Sequence, residues 1–271
     1  MGQSDTATSV SLFDESRIID DKIINIEDIF DRTANAFTGT TLFGAYSIRG
    51  GKNTNVIDGF NSTNALSSLV INCNALGLSA TDYLKPSRFD AAQVEILRGP
   101  QSVAQGPNTL IGSIVINYND PSFDGYEGRA LAEVGNLGAY RLATMQNVEI
   151  IDDILAGRIT LETRQADGDV TNTTTGQDDV QRTDEETVRA QFKLRPHASD
   201  RLHFNLTYLR NRSDSNPIAN VISDPTQGIS VFDRLQLSDV PEQYPSEYDC
   251  AALEAGLELN ENWALSAVIG Y

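Results

Sequence analysis

The sequence predicts an α+β N-terminal domain, a small mixed sheet with short helices, followed by antiparallel β-strands of an incomplete transmembrane β-barrel. Three observations carry this prediction. Residues 94–116 (VEILRGPQSVAQGPNTLIGSIVI) set two apolar, strand-like runs on either side of a Gly/Pro-rich connector. Glycine and proline at that density impose tight, shaped turns. Residues 24–37 place Ile26, Ile29, Phe30, Ala34 and Phe37 on one face at helical spacing. From about residue 126 period-2 alternation replaces helical periodicity, and short turns and long loops take turns along the chain, the rhythm of an outer-membrane barrel.

Each element follows in order. Residues 10–13 form a short strand. The helix over 24–37 takes Asn25 as N-cap, Asp28 at N3 and an Ile24–Ile29 staple. Residues 47–49 and 55–57 are short strands, each followed by glycine, and residues 61–88 are Asn/Ser-rich with a short helix around 80–84. Past the connector, strands are expected at 127–134, 140–150, 154–163, 187–194, 201–209, 251–259 and 263–271. Tight turns join several of them, at 135–138, 152–153, 196–200 and 260–262. Two long loops interrupt the array, near 165–186 and 210–249. The first is too polar to pack and reads as exposed; the second carries Pro217, Pro225, Pro241 and Pro245. In a compact soluble domain loops of that length are unusual.

Composition excludes several classes. The chain has 271 residues, 40% hydrophobic and 21% charged, so it is globular, and its formal net charge of −18 argues against nucleic acid as a partner. Cys73 and Cys250 lie far apart, no Cys-x-x-Cys exists and there are two histidines, so no structural zinc site is expected and both cysteines are read as unpaired thiols. No apolar run is long enough for a transmembrane helix. Residues 1–11 are polar and carry no export signal.

The stretch 94–116 resembles the plug signature of TonB-dependent outer-membrane receptors, close to VEVLRGPQGxLYGxNxxGGxINI. Ser47-Ile48-Arg49-Gly50 resembles the SIRG element of that family, Val56-Ile57-Asp58-Gly59 the following IDG strand, and 10–13 with the helix after it the opening of the plug. Residues 127–142 and 192–208 resemble barrel hairpins. The chain departs from the pattern at Gln105-Gly106-Pro107-Asn108, at Ile111-Gly112 and at Ala92-Gln93, as a divergent member would.

The resemblance implies a plug over residues 1–122 and the N-terminal part of an outer-membrane barrel, about seven strands, over 123–271, against about 22 strands in a complete barrel of the family. Seven strands cannot close around a plug, so the chain is expected to be a fragment that does not transport by itself. The implied function is active uptake of a ferric siderophore or another large scarce nutrient across a Gram-negative outer membrane, with the plug gating the barrel. The implied partners are a TonB-type energy-transducing protein, the nutrient ligand and the membrane. Neither catalytic residue, metal nor cofactor is called for. Arg49 and Arg98 stand at positions whose family counterparts pair with wall glutamates, and these glutamates belong to later strands, so both arginines are expected to lack their usual partners here. Gly50, Gly59, Gly99, Pro100, Gly106 and Gly112 are the signature turn residues. Tyr46, Phe60 and Tyr83, near plug loops, are the aromatic candidates for ligand contact.

Two other classes compete. A soluble or surface all-β binding or adhesion protein with an α+β N-terminal subdomain would show polar outward faces on its C-terminal strands, where a lipid-facing barrel shows an apolar band. An enzyme such as a glycoside hydrolase would need paired carboxylates on neighbouring strand ends, and the sequence offers no such pair. Asp58-Gly59 reads as a turn, Asp152-Asp153 and Asp178-Asp179 as solvated charge, and His197 as a turn residue.

Overall fold

The computed structural model of the chain describes residues 9–24, 26–38, 46–52, 67–72, 74–75, 87–100, 109–199, 201–214, 221–239 and 245–271. Asp14 ends the first strand, β1 (Ser9–Asp14), and starts the first helix, α1 (Glu15–Asp20). Its carboxylate accepts a bond from the Arg17 backbone N–H, an N-cap that holds the Asp14 carboxyl below its ordinary value. Ile18 turns inward from this single turn and a half of helix. The sequence reading passed over α1, because six residues are too few to show a period.

The predicted helix over 24–37 is cut short. Helix α2 covers Ile26–Asp31 and buries Ile29 and Phe30. The Ile24 N–H donates to the Asp28 carboxylate at 2.9 Å, and the capping position, residue 25, lies outside the described residues. The Thr33 hydroxyl bonds back to the Ile29 carbonyl at 2.7 Å, Asn35 takes a left-handed φ of 60°, and the chain leaves as a strand, β2 (Ala36–Thr38). Pairing of β2 with β3 (Tyr46–Ile48), which in turn pairs with β4 (Gly51–Lys52), overrides the helical spacing of Ala34 and Phe37.

The remaining N-terminal strands are β5 (Ser67–Ile71), β6 (Asn74–Ala75), β7 (Ala91–Arg98) and β8 (Gly112–Tyr118). With β1 they form a mixed sheet in the order β1-β7-β8-β5-β6, in which only β5 and β8 run parallel. Strand β5 lies inside the stretch read as Asn/Ser-rich connector; its SSLVI run is short and its pairing is parallel and long-range, so local pattern did not reveal it. The proposed helix at 80–84 and the strand at 55–57 lie outside the described residues. Phe13, Ile18, Ile29, Phe30, Leu69, Ile71, Val94, Ile96, Ile114 and Ile116 fill one core between this sheet and the helices. Gly112 has a φ of 154°, and a Cβ there would come within 2.2 Å of the Leu97 carbonyl oxygen, so the β7–β8 pairing requires glycine at this point.

The C-terminal half is a seven-stranded antiparallel sheet: β9 (Glu127–Val134), β10 (Tyr140–Ile151), β11 (Leu155–Ala166), β13 (Thr183–Leu194), β14 (Leu202–Asp214), β16 (Pro245–Asn260) and β17 (Trp263–Gly270), each hydrogen-bonded to the next. Its outward face is apolar. Val148, Gly157, Phe192, Leu206, Leu253 and Ile269 are register partners in one continuous row across six strands. Leu155, Leu194, Phe204, Ala255 and Ala267 form the row two residues below. From Leu155 to Leu161 strand β11 advances roughly 20 Å, close to the height of the apolar band of a barrel. The band ends where Arg210 faces Asp249 and pairs with Glu247.

The other face is buried and carries most of the sheet's polar side chains, with Ala143, Met145, Leu209 and Cys250 among them. Arg141, Asn147, Arg158, Thr160, Thr187, Arg189, Gln191, Thr207 and Asn211 point inward. The N-terminal domain packs on that side, where Asp90 meets Arg158 and Arg189 and where Leu209 and Cys250 join its core.

The strands run further than the apolar pattern, because cross-strand ion pairs continue the ladder above the band: Arg164 with Glu185 at 3.7 Å, and Arg210 with Glu247. The polar stretch at 165–185 also packs, against expectation. It supplies β12 (Thr171–Asn172), which pairs in parallel with β15 (Leu235–Gln236) from the second long loop. Val170 and Val180 bridge each other and are buried, as are Asn172 and Gln236. The Arg234 guanidinium forks onto the Asp169 carboxylate at 2.6 and 3.1 Å. Each loop covers the polar backbone of the other, which no reading of one loop at a time could reveal.

Candidate functional site

The densest polar cluster lies where the N-terminal domain meets the inward face of the long sheet. Asp90, in the turn before β7, holds a left-handed φ of 65°. That turn aims its carboxylate away from its own sheet. Arg158 on β11 donates through Nε at 2.9 Å to one oxygen and through Nη2 to the other, a forked pair. Arg189 on β13 adds a bond at 2.8 Å, and the Thr160 hydroxyl one at 3.2 Å. Thr160 and Arg189 are register partners, so β11 and β13 present all three donors at one point. Asn119 supplies a fifth, at 3.1 Å.

All three charged side chains are buried, Arg189 and Asp90 at 0% exposure and Arg158 at 3%. Burial by itself would raise the Asp90 carboxyl; the Arg158 bond and the charges of Arg189 and Arg158 outweigh it and hold the group below its ordinary value. The Arg189 guanidinium also stacks on the Tyr118 ring, 3.6 Å from its centroid. Burial pushes the Tyr118 hydroxyl up, and that hydroxyl donates to the Ser87 carbonyl at 2.6 Å.

Two further contacts flank this latch. The Ser87 hydroxyl bonds Glu162 of β11, which also takes a bond from Arg141 of β10 at 2.7 Å. Next to Ser87, Arg88 is buried, and burial pushes its guanidinium down, opposed by Tyr118, Glu27, Glu185 and Glu162. On the other side, Glu15 of α1 pairs with Arg129 of β9. The connection between the sheets is pinned as well: the buried Asn147 amide bonds the backbone of Ser122 and Gly125, and Arg195 stacks over Phe123 at 3.5 Å.

The residues singled out by sequence lie elsewhere. Arg49 is exposed in a turn with φ 53°, and its backbone N–H bonds the Asn35 carbonyl at 2.8 Å. Arg98, half-buried, donates through Nη1 to the Ala34 carbonyl at 2.9 Å. The Arg49 guanidinium rests against Gly99, so the two signature arginines are neighbours. Among the described residues, neither makes an ion pair with a carboxylate. Gly50 and Gly99 adopt φ of 77° and 111°, and Pro100 follows in an exposed position. Gly59, Gly106, Phe60, Tyr83 and Cys73 lie outside the described residues, as does the Tyr46 side chain, whose backbone pairs with Thr38. Cys250 is a free, buried thiol. No cluster of metal-ligating side chains exists among the described residues.

Sequence reasoning did not single out Asp90, Arg158 or Arg189. The signal available was phase: in TVRAQFKL, Val188, Ala190, Phe192 and Leu194 share one face, which leaves Arg189 and Gln191 on the other. Once the apolar face is assigned to lipid, a lone arginine on the opposite face must find a partner inside.

Residues 2–113 match the TonB-dependent Receptor Plug Domain family. The chain carries a TonB-dependent receptor plug. The fold extends the match beyond the plug. The ferric yersiniabactin uptake receptor FyuA of Yersinia pestis superposes with a TM-score of 0.78 at 20% identity, over 98% of this chain and 41% of its own. The ferric-catecholate import receptor Fiu of E. coli K12 gives 0.69 at 19%, over 98% and 38%. The siderophore receptor PiuA of Acinetobacter baumannii gives 0.70 at 17%, over 98% and 36%. The chain thus spans about two fifths of the length of FyuA. The plug packs against antiparallel strands that have the fold of the barrel in these receptors, and Asp90, Ser87 and Glu15 are plug-side contacts to that wall.

Proposed function

We propose that the chain is the N-terminal part of an outer-membrane receptor for active, TonB-dependent uptake, with a plug over residues 1–122 and the first barrel strands over 123–271. The plug gates the barrel, and a TonB-type energy-transducing protein works on it. The observation that carries this reading is the inverted sheet. Its outward rows are apolar from Val148 to Ile269, its inward face holds the buried arginines and amides among a few apolar side chains, and the plug packs on that inward side. A soluble β-protein hides its apolar face and wets its polar one, so this arrangement supports a lipid-facing wall. It argues against the soluble or surface adhesion reading.

The cargo we infer is a ferric siderophore or another large scarce nutrient, on the strength of FyuA, Fiu and PiuA, whose names give them siderophore or ferric-chelate roles. Arg49 and Arg98 are proposed as the plug's signature arginines, set side by side to meet wall carboxylates outside this chain. The test is uptake of iron-55 as ferric yersiniabactin and as a ferric catecholate by Gram-negative cells expressing a full-length receptor that contains this chain, with and without an active TonB system, beside cells expressing the 271-residue chain alone, which is expected not to transport. Energy-dependent uptake and recovery of the protein in the outer-membrane fraction are expected. Recovery in the soluble fraction, or uptake indifferent to TonB, would overturn the proposal.

A further inference from the structure

Glu15 is the only acidic residue of the first turn of α1, and it faces two ways. Its carboxylate pairs with Arg129 on β9, and the same oxygen accepts a bond from the Asn119 amide at 3.4 Å. Asn119 Nδ2 also donates to the Asp90 carboxylate at 3.1 Å, and its backbone N–H bonds the Asp90 carbonyl at 3.2 Å. A continuous polar path therefore runs from α1 through Asn119 to Asp90 and on to Arg158 and Arg189. Between α1 and the wall lies a cavity of about 220 Å³ bordered by Ile18, Lys22, Asp90, Arg129 and Arg141. Apolar packing along that seam is thus incomplete, and the Glu15–Arg129 pair ties α1 to the wall at one end of it while the Asp90 latch holds the other.

We propose that Asp90 is the positioning residue that seats the plug on the wall, and that α1 controls its hold through Glu15 and Asn119. Displacing α1 breaks the Glu15–Arg129 pair, frees Asn119 and weakens the Asp90 latch. By linkage, loosening Asp90 also loosens α1. The seam between α1 and strands β9–β10 is then the side on which the plug first parts from the wall. This rests on the plug-and-wall reading but not on transport, so the uptake assay and the test below fail independently.

Hydrogen exchange of the protein in detergent micelles tests it. Glu15→Gln is expected to speed exchange of residues 87–92 about tenfold, although Glu15 bonds none of them, and Asp90→Asn to speed exchange of residues 17–23 in return. The double variant should exchange at 87–92 no faster than Asp90→Asn alone. Asn119→Ala leaves both charges in place and should abolish the effect of Glu15→Gln on 87–92; it decides the matter if Asp90→Asn does not fold. A purely structural Asp90 gives no such reciprocity. If Glu15→Gln speeds only residues 17–23, or if the two effects multiply, the coupling is refuted.

Discussion

Arg158 and Asp90 meet as a forked ion pair across the plug–wall boundary, at a place where both side chains are buried. The plug contributes the acid and the wall the bases, the reverse of the polarity expected at Arg49 and Arg98. One carboxylate collects donors from two adjacent strands and from the connection that follows β8.

Removing that carboxylate takes the buried Arg189 guanidinium's ion-pair partner and leaves Arg158 with a 3.4 Å contact to the half-exposed Glu127. Asp90→Ala is expected to destabilise the docked state by about 3–5 kcal/mol, measured by urea unfolding in detergent. Arg98→Ala, which removes one half-buried bond to a backbone carbonyl, should cost only about 1 kcal/mol. Equal costs would show that the latch is not the dominant contact.

The latch also has a pH signature. The Asp90 carboxyl is held below its ordinary value of 3.8, so the folded state binds its proton less readily than the unfolded chain does. Its contribution is then complete above the ordinary value and is lost as pH falls through the lowered one. Protease cleavage at residues 119–126 should stay constant from pH 7 to about 5 and rise only in stronger acid. Asp90→Asn should remove this acid-dependent component. A rise already at pH 6 would assign the titration to another group.

Phe192 and Leu206 are cross-strand partners in the outward row. Phe192→Arg or Leu206→Arg should destabilise the protein folded into lipid bilayers by about 2–4 kcal/mol. Phe232→Arg, at an exposed loop position 88% accessible, should change stability by no more than about 0.5 kcal/mol. Similar small effects at all three sites would rule out a lipid-facing band.

Gly168 packs so closely that a Cβ would lie 1.8 Å from the Val180 carbonyl oxygen. Gly168→Ala should force apart the two arms of the first long loop, exposing Val170 and Val180 and disturbing β12, through which that loop pairs with β15 of the second. The readout is proteolysis within 167–182 and 221–239, expected to rise together, while the seven-stranded ladder keeps its exchange protection. Cleavage confined to one loop would mean that the loops are not coupled through β12 and β15.

Much of the architecture was legible in the sequence. The two strands that flank the Gly/Pro connector, the alternation after residue 126 and the order of the hairpins all follow from local pattern, because strand phase and turn chemistry are written in neighbouring residues. The early end of α2 and the strand at Ser67–Ile71 were not legible, since each depends on pairing with a distant segment.

The sequence by itself determined that this chain carries a plug signature followed by strands with one apolar face. Only the tertiary structure decided how the two halves grip each other. Asp90 is a single acid before a strand, and Arg158 and Arg189 are ordinary arginines in alternating runs; nothing local relates them. Burial makes them obligatory partners, because an unpaired charge away from water is too costly to persist and the sheet register brings just these donors to that carboxylate.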